Sequence, residues 1–163
     1  MKRKYNPTQA MEGIRRLRAA LPGAELTTDF IVGFPGESDE DFADTMAFAK
    51  EAEFLQMHVF AYSPRAGTPA ATMPDQLDKA TKKARSAALI ALGEELREKR
   101  LLRALRTPVC EVLFETYENG IALGHTKEFF EVEVPSPTPL HAQVCTVCLQ
   151  EVKNGRLRGT LLR

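Results

Sequence analysis

Between Asn6 and Tyr62 the sequence reads helix, strand, helix, strand, and that alternation constrains the fold more than any other feature. Asn6-Pro7-Thr8 is a helix start, after which Met11, Ile14, Leu17 and Leu21 keep one face apolar. Pro22-Gly23 stops that helix. Leu26 to Val32 is a short apolar, β-branched run and reads as a buried strand, and Gly33-Phe34-Pro35-Gly36 turns the chain. Ser38 caps a second helix, with Asp41 in the capping-box position, and Phe42, Thr45, Met46, Ala49 and Ala52 form its buried stripe. Leu55 to Tyr62 is a second strand, with Met57, Val59 and Ala61 on one face. Strands joined through helices run parallel, because a parallel pair needs a long crossover. Both faces of these strands are expected to be apolar, as burial between two layers requires.

A loop rich in Pro, Gly and Thr follows from Ser63 to Pro74, and a long helix is predicted from Gln76 to Leu105. From Gln76 to Arg106, nine Lys or Arg oppose four Asp or Glu, a net of +5. After Thr107 the character changes. Val109–Phe114, Ile121–Leu123, Phe129–Val134, Gln143–Leu149 and Arg158–Leu162 are short β runs, separated by turn signals at Asn119-Gly120, Pro135 to Pro139 and Asn154-Gly155. The fold class is therefore α/β, with parallel strands in residues 1–75, a connecting basic helix at 76–106, and a small antiparallel β-barrel at 107–163.

Composition excludes several classes. The chain has 163 residues, 44% hydrophobic and 27% charged, an ordinary balance for a soluble globular protein. Lys plus Arg equals Asp plus Glu at 22 each, so net charge does not select a polyanionic partner. No apolar run approaches the roughly 20 residues that span a bilayer. Met1 to Asn6 is basic but has no apolar segment after it, unlike a signal peptide. Three cysteines, an odd count, do not make a disulfide framework, and the expected setting is cytoplasmic with reduced thiols. Cys145-Thr146-Val147-Cys148 is a CxxC, but on a strand its two thiols point to opposite faces, and no second pair completes a zinc site.

Two segments carry chemistry. Thr28 to Glu37 is a buried strand running into a glycine-rich turn and an acidic helix start, and Gly33 and Gly36 leave room for a ligand against the backbone. Ligands of such sheets bind where strands end and loops begin. An anonymous Gly-Phe-Pro-Gly reads first as a tight strand–helix turn, and Glu37, Asp39, Glu40, Asp41 and Asp44 complement a helix dipole. His58 to Ala70 is a second strand ending in a loop, where Arg65 either clamps an anion bidentately or pairs with an acidic neighbour. His58 shares a face with Phe60 and Tyr62 and reads as a packed residue rather than a base.

In order and spacing, Asp29-Phe30-Ile31-Val32-Gly33-Phe34-Pro35-Gly36-Glu37, Tyr62-Ser63-Pro64-Arg65-Ala66-Gly67-Thr68-Pro69-Ala70 and Met73-Pro74-Asp75-Gln76 resemble the radical S-adenosylmethionine tRNA methylthiotransferases. The resemblance covers the chain, beginning at Met1-Lys2-Arg3-Lys4-Tyr5, and His58 to Ser63 looks most like the branch acting on threonylcarbamoyladenosine. It implies the C-terminal part of a partial TIM-type radical-enzyme barrel, closed by a TRAM domain, an OB-like RNA-binding barrel. By resemblance, Ile31, Val32, Gly33, Phe34, Pro35 and Gly36 line the S-adenosylmethionine site, and Arg65, Gly67 and Thr68 stand at its rim. The segment from Gly124 to Val132 matches TRAM, with His125, Lys127 and Phe130 as candidate RNA contacts. Phe129 and Phe130 are strand neighbours, so one is expected to stack a base and the other to enter the core. From Thr107 to Arg163 five cations face seven acids, net −2, so Lys82, Lys83 and Arg85 of the basic helix are expected to help hold tRNA. The [4Fe–4S] ligands implied by the family, a CxxxCxxC triplet and a second N-terminal set, are absent here. The implied partners are tRNA and a missing N-terminal part, with no membrane. No catalytic residue is assigned, and no metal ligand. The residues also admit the isopentenyladenosine branch, a radical enzyme of another class, or a stand-alone TRAM module, which would have no use for the Asp29 to Glu37 segment.

Overall fold

The computed structural model describes residues 4–162, so the resemblance at Met1-Lys2-Arg3 lies outside them. Two compact units divide between Leu96 and Arg97.

In the first unit, α1 (Pro7–Ala20), β1 (Thr27–Val32), α2 (Asp39–Ala52) and β2 (Gln56–Ala61) follow the sequence signals closely. The Asn6 side chain accepts the Gln9 N–H at 2.9 Å, and the Gln9 side chain accepts the Asn6 N–H at 3.0 Å, with Pro7 opening the helix. Ser38 and Asp41 form the same reciprocal box at 3.0 and 2.9 Å. The long helix α3 (Lys79–Ala104) begins after the expected Gln76, because Asp78 ends the loop by accepting the Thr81 N–H at 2.9 Å.

β1 and β2 pair in parallel from Thr27–Gln56 to Val32–Ala61. One face packs on the helices through two clusters. One is built on Met11, Ala52 and Phe54, and the other on Val32, Ala49 and Leu89. Full burial of Val32 or Leu89 contributes about 1.5–3 kcal/mol each. The opposite face is open, with Ile31 40% and Phe60 54% exposed. This corrects the two-sided apolar reading: Thr27, Asp29, Gln56 and His58 alternate with the buried residues and are solvated.

The second unit holds the rest of α3 and β3 (Val109–Glu118), β4 (Ile121–Thr126), β5 (Glu131–Pro135), β6 (Val144–Lys153) and β7 (Arg156–Leu161). They close into a barrel in the order β3-β4-β5-β7-β6. Asn119-Gly120 and Asn154-Gly155 take positive φ at both residues, the hairpin geometry their sequence signals. Val112, Phe114, Ala122, Val132, Val134, Val147 and Leu157 form the interior, each 0% exposed.

Two expectations are corrected. The barrel is not wholly antiparallel: β5 and β7 run parallel through Val132–Leu157 and Glu133–Arg158. After β5 the chain crosses to β6, which pairs with β3, so β7, the hairpin partner of β6, returns beside β5 in the same direction. Next, β5 starts at Glu131, because Phe129 adopts a left-handed turn (φ 66) that closes the β4–β5 hairpin. The division between the two units falls within α3, and the change of composition after Arg106 comes later along the chain.

Candidate functional site

At the carboxyl ends of β1 and β2 lies an open cleft of about 610 Å³, lined by Asp29, Ile31 and Phe34 on one side and Phe60, Tyr62, Arg65 and Thr68 on the other. Tyr62 N–H donates to the Val32 carbonyl at 2.8 Å, tying the two strand ends together. The Phe34 ring meets Tyr62 edge-on with centroids 5.2 Å apart, and Lys82 Nζ sits over the Tyr62 ring, 5.2 Å from its centroid. The Tyr62 hydroxyl is buried without a hydrogen-bond partner.

Of the residues implied by resemblance, Ile31, Phe34, Arg65 and Thr68 line this cleft. Val32 does not; at 1% exposure it belongs to the core behind it. Gly33 and Pro35 are buried in the turn, and Gly36 and Gly67 are exposed at φ 80 and 81. Asp29, Phe60 and Tyr62 were not among the implied cofactor residues. Their signal was strand parity, since Asp29 lies two residues before Ile31, and Phe60 and Tyr62 share a face.

The turn itself is held by one carboxylate. Glu37 Oε2 accepts the N–H groups of Gly33 at 2.8 Å and Phe34 at 3.3 Å. Glu37 Oε1 accepts from Arg85 at 2.7 Å, and a further Arg85 contact of 2.9 Å goes to the Glu37 carbonyl. The other guanidinium nitrogen reaches Asp39 Oδ1 at 2.7 Å, and the guanidinium stands 5.4 Å from the centre of the Phe42 ring. Arg85 is 6% exposed. Burial works against its charge, but hydrogen bonds to Asp39 and Glu37 outweigh that and leave its pKa raised. Arg85, expected from the sequence to contact RNA, is a buried ion-pair partner inside the first unit. Lys82 is half-buried, and Lys83 is exposed.

In the barrel, Thr126 Oγ1 accepts the N–H groups of Glu128 and Phe130, both at 3.3 Å, and so shapes the β4–β5 turn. Phe130 is 8% exposed and Phe129 77%. The sequence reading placed one inside and one outside; Phe130, named there as a candidate RNA contact, is the one inside. Phe129 stands 5.9 Å from the His125 ring, whose Nδ1 is 2.6 Å from Glu115 Oε2. Lys127 is fully outside, with 89% of its side chain exposed. Arg97, Arg156 and Arg158 are paired with Glu131, Glu133 and Glu151.

Cys145 lies opposite the interior Val112 and Cys148 opposite the exposed Val109, so the strand sends the two thiols to opposite sides. Burial, with Glu128 and Cys148 nearby, pushes the Cys110 thiol up. Among the described residues no group of three or more His, Cys, Asp or Glu is placed to hold a metal ion.

The family model described as the Radical SAM superfamily matches residues 1–49, which hold β1, the glycine turn and most of α2, while Phe60, Tyr62, Arg65 and Thr68 of the cleft lie beyond it. Among curated proteins, the tRNA-2-methylthio-N(6)-dimethylallyladenosine synthase of Bacillus subtilis (strain 168) is 38% identical over 165 residues, covering 99% of this chain and 32% of that protein. The threonylcarbamoyladenosine tRNA methylthiotransferase MtaB of the same organism is 41% identical over 137 residues, 81% of this chain and 30% of that protein. The Frankia alni dimethylallyladenosine synthase is 49% identical over 96 residues, 59% of this chain and 19% of that protein. The chain thus spans about a third of the length of the first two relatives, and it is similar to both methylthiotransferase branches.

Proposed function

We propose that this chain is the C-terminal part of a radical S-adenosylmethionine tRNA methylthiotransferase. The observation that carries the reading is the cleft, where two aligned strand ends and a glycine turn bring an acid, a cation and an aromatic wall together. That set suits an adenosyl amino acid. Ile31, Phe34 and Phe60 offer apolar and π surface to a purine, Asp29 and Arg65 offer opposite charges to an amino and a carboxylate group, and the Tyr62 hydroxyl lacks a partner. When bound, S-adenosylmethionine supplies the methyl group and the radical initiation. The residues of this chain do not suit a [4Fe–4S] cluster: its cysteines are Cys110 on β3 and Cys145 and Cys148 on opposite faces of β6. The clusters are therefore ascribed to the part of the protein not present here, and the chain alone is taken to be inactive. Residues 1–75 are read as the last units of the radical barrel, 76–106 as the connecting helix, and 107–163 as a TRAM barrel. RNA grip is assigned in the barrel to His125, Lys127 and Phe129, a basic and aromatic set suited to stacking and phosphate contact, and separately to the exposed Lys83 of α3. The setting is cytoplasmic.

The favoured product is the 2-methylthio form of N6-threonylcarbamoyladenosine beside the anticodon, on the resemblance of His58 to Ser63. A second reading, methylthiolation of the isopentenyl nucleoside, is favoured by the 99% coverage of this chain by a dimethylallyladenosine synthase. The test is anaerobic reconstitution of the longer protein with iron and sulfide, incubation with S-adenosylmethionine and unmodified-at-C2 tRNA, and mass spectrometry of the nucleosides. A methylthio increment on one nucleoside selects between the branches. A cluster-loaded enzyme that leaves both unchanged overturns the proposal.

A further inference from the structure

The start of α3 is rich in cations, yet two of them turn inward onto the glycine turn. Lys82 and Arg85 are three residues apart and so share a helix face. The Lys82 stem covers Gly33 so closely that a Cβ there would lie 2.5 Å from Lys82 Cγ, while Gly33 itself holds φ 72. Arg85 meets the other end of the turn at Glu37 and Asp39. Glu37 has one oxygen committed to Arg85 and the other to the Gly33 and Phe34 amides. Its side chain is only 13% exposed, so without Arg85 a carboxylate would be left half-paired away from water.

We propose that Arg85 is a positioning residue for the cleft: by fixing Glu37 it fixes the Gly33 and Phe34 amides, and thereby the pose of the Phe34 ring against Tyr62. The inference rests on reading the cleft as an S-adenosylmethionine site. Its direct consequence, an ordered turn, does not. Only a fork that reaches two acids at once does this. A lysine at the same place carries the charge but reaches one partner.

The experiment compares wild type with Arg85→Gln, Arg85→Lys and, as a control on the same helix, Leu92→Ala, which loosens the core cluster without touching the turn. Two quantities are read on each: the Kd for S-adenosylhomocysteine by calorimetry, and amide exchange at Gly33 and Phe34 relative to the rest of β1 by NMR. Arg85→Gln is expected to weaken ligand binding by at least about tenfold and to speed exchange at the two amides by a similar factor, as loss of a charged hydrogen bond implies. Arg85→Lys is expected to fall between. Leu92→Ala is expected to lower the melting temperature while keeping Kd within about twofold. If Arg85→Gln leaves the two amides protected, or Leu92→Ala speeds them equally, the positioning role is overturned. If wild type does not bind S-adenosylhomocysteine but the two amides respond as described, the cofactor reading fails and the positioning role stands. Should Arg85→Gln not fold, Glu37→Gln asks the same question from the other side, since an amide has a single oxygen for three donors.

Discussion

Phe129 and Phe130 are adjacent and chemically identical, and one left-handed residue separates their roles. Phe130→Ala is expected to cost about 3–5 kcal/mol in urea unfolding, the range for emptying a buried aromatic site. Phe129→Ala is expected to leave stability within about 0.5 kcal/mol. It should weaken tRNA binding by about 1–3 kcal/mol, the worth of one stacked base. Equal binding by wild type and Phe129→Ala would remove the ring from the RNA surface. A pH effect belongs to the same scale. The Ser38 backbone N–H and hydroxyl hold the exposed Asp41 carboxyl below its ordinary 3.8. A lowered folded pKa means that the stabilisation is complete above the unfolded value and is lost as pH falls through the folded one. Melting temperature is therefore expected to drop below about pH 3.8 in part through this cap, and Ser38→Ala should both lower it at neutral pH and reduce that acid-dependent part. An unchanged acid limb in the variant would show that other carboxyl groups set it.

The elements were legible where their signals are local. Asn6 with Gln9 and Ser38 with Asp41 announce helix starts, and the two Asn-Gly pairs announce hairpins, because each acts within a few residues of itself. Illegible were features decided by distant partners. Nothing in the run Lys79 to Arg85 says which cation folds inward, since the acids that receive Arg85 lie 46 and 48 residues away. The cleft was half legible: Ile31 and Phe34 came with the motif, whereas Asp29, Phe60 and Tyr62 join it through strand pairing. β4 illustrates a further hidden constraint. A Cβ on Gly124 would stand 2.1 Å from the Leu113 carbonyl oxygen of β3, a backbone atom that cannot step aside alone. Gly124→Ala is therefore expected to destabilise the barrel by about 1–3 kcal/mol in chemical unfolding. A loss below about 0.5 kcal/mol would mean that the β3–β4 pair separates easily.

At the scale of the whole molecule, the two units differ in closure. The strands of residues 109–161 form a ring, whereas β1 and β2 form a two-stranded sheet with no third strand among the described residues. Unpaired edges of this sort recruit other chains. Size-exclusion chromatography is expected to show self-association of the isolated chain. Limited proteolysis should cut residues 4–75 before 107–162. A monodisperse monomer with both regions equally resistant would contradict this. The ring carries its own weak point. Directions cannot alternate all the way around a closed circle with an odd number of members, so one neighbouring pair is obliged to agree. That frustrated pair is β5–β7, joined by two residue pairs against six for β6–β7. Arg156–Glu131 and Arg158–Glu133 span the same seam at 3.6 Å, exposed enough for salt to screen them. The barrel therefore behaves as a zipped sheet rather than a hoop. It opens first along β5–β7, and Val132 and Leu157 should exchange their amides sooner than the β3–β4 ladder, sooner still in high salt.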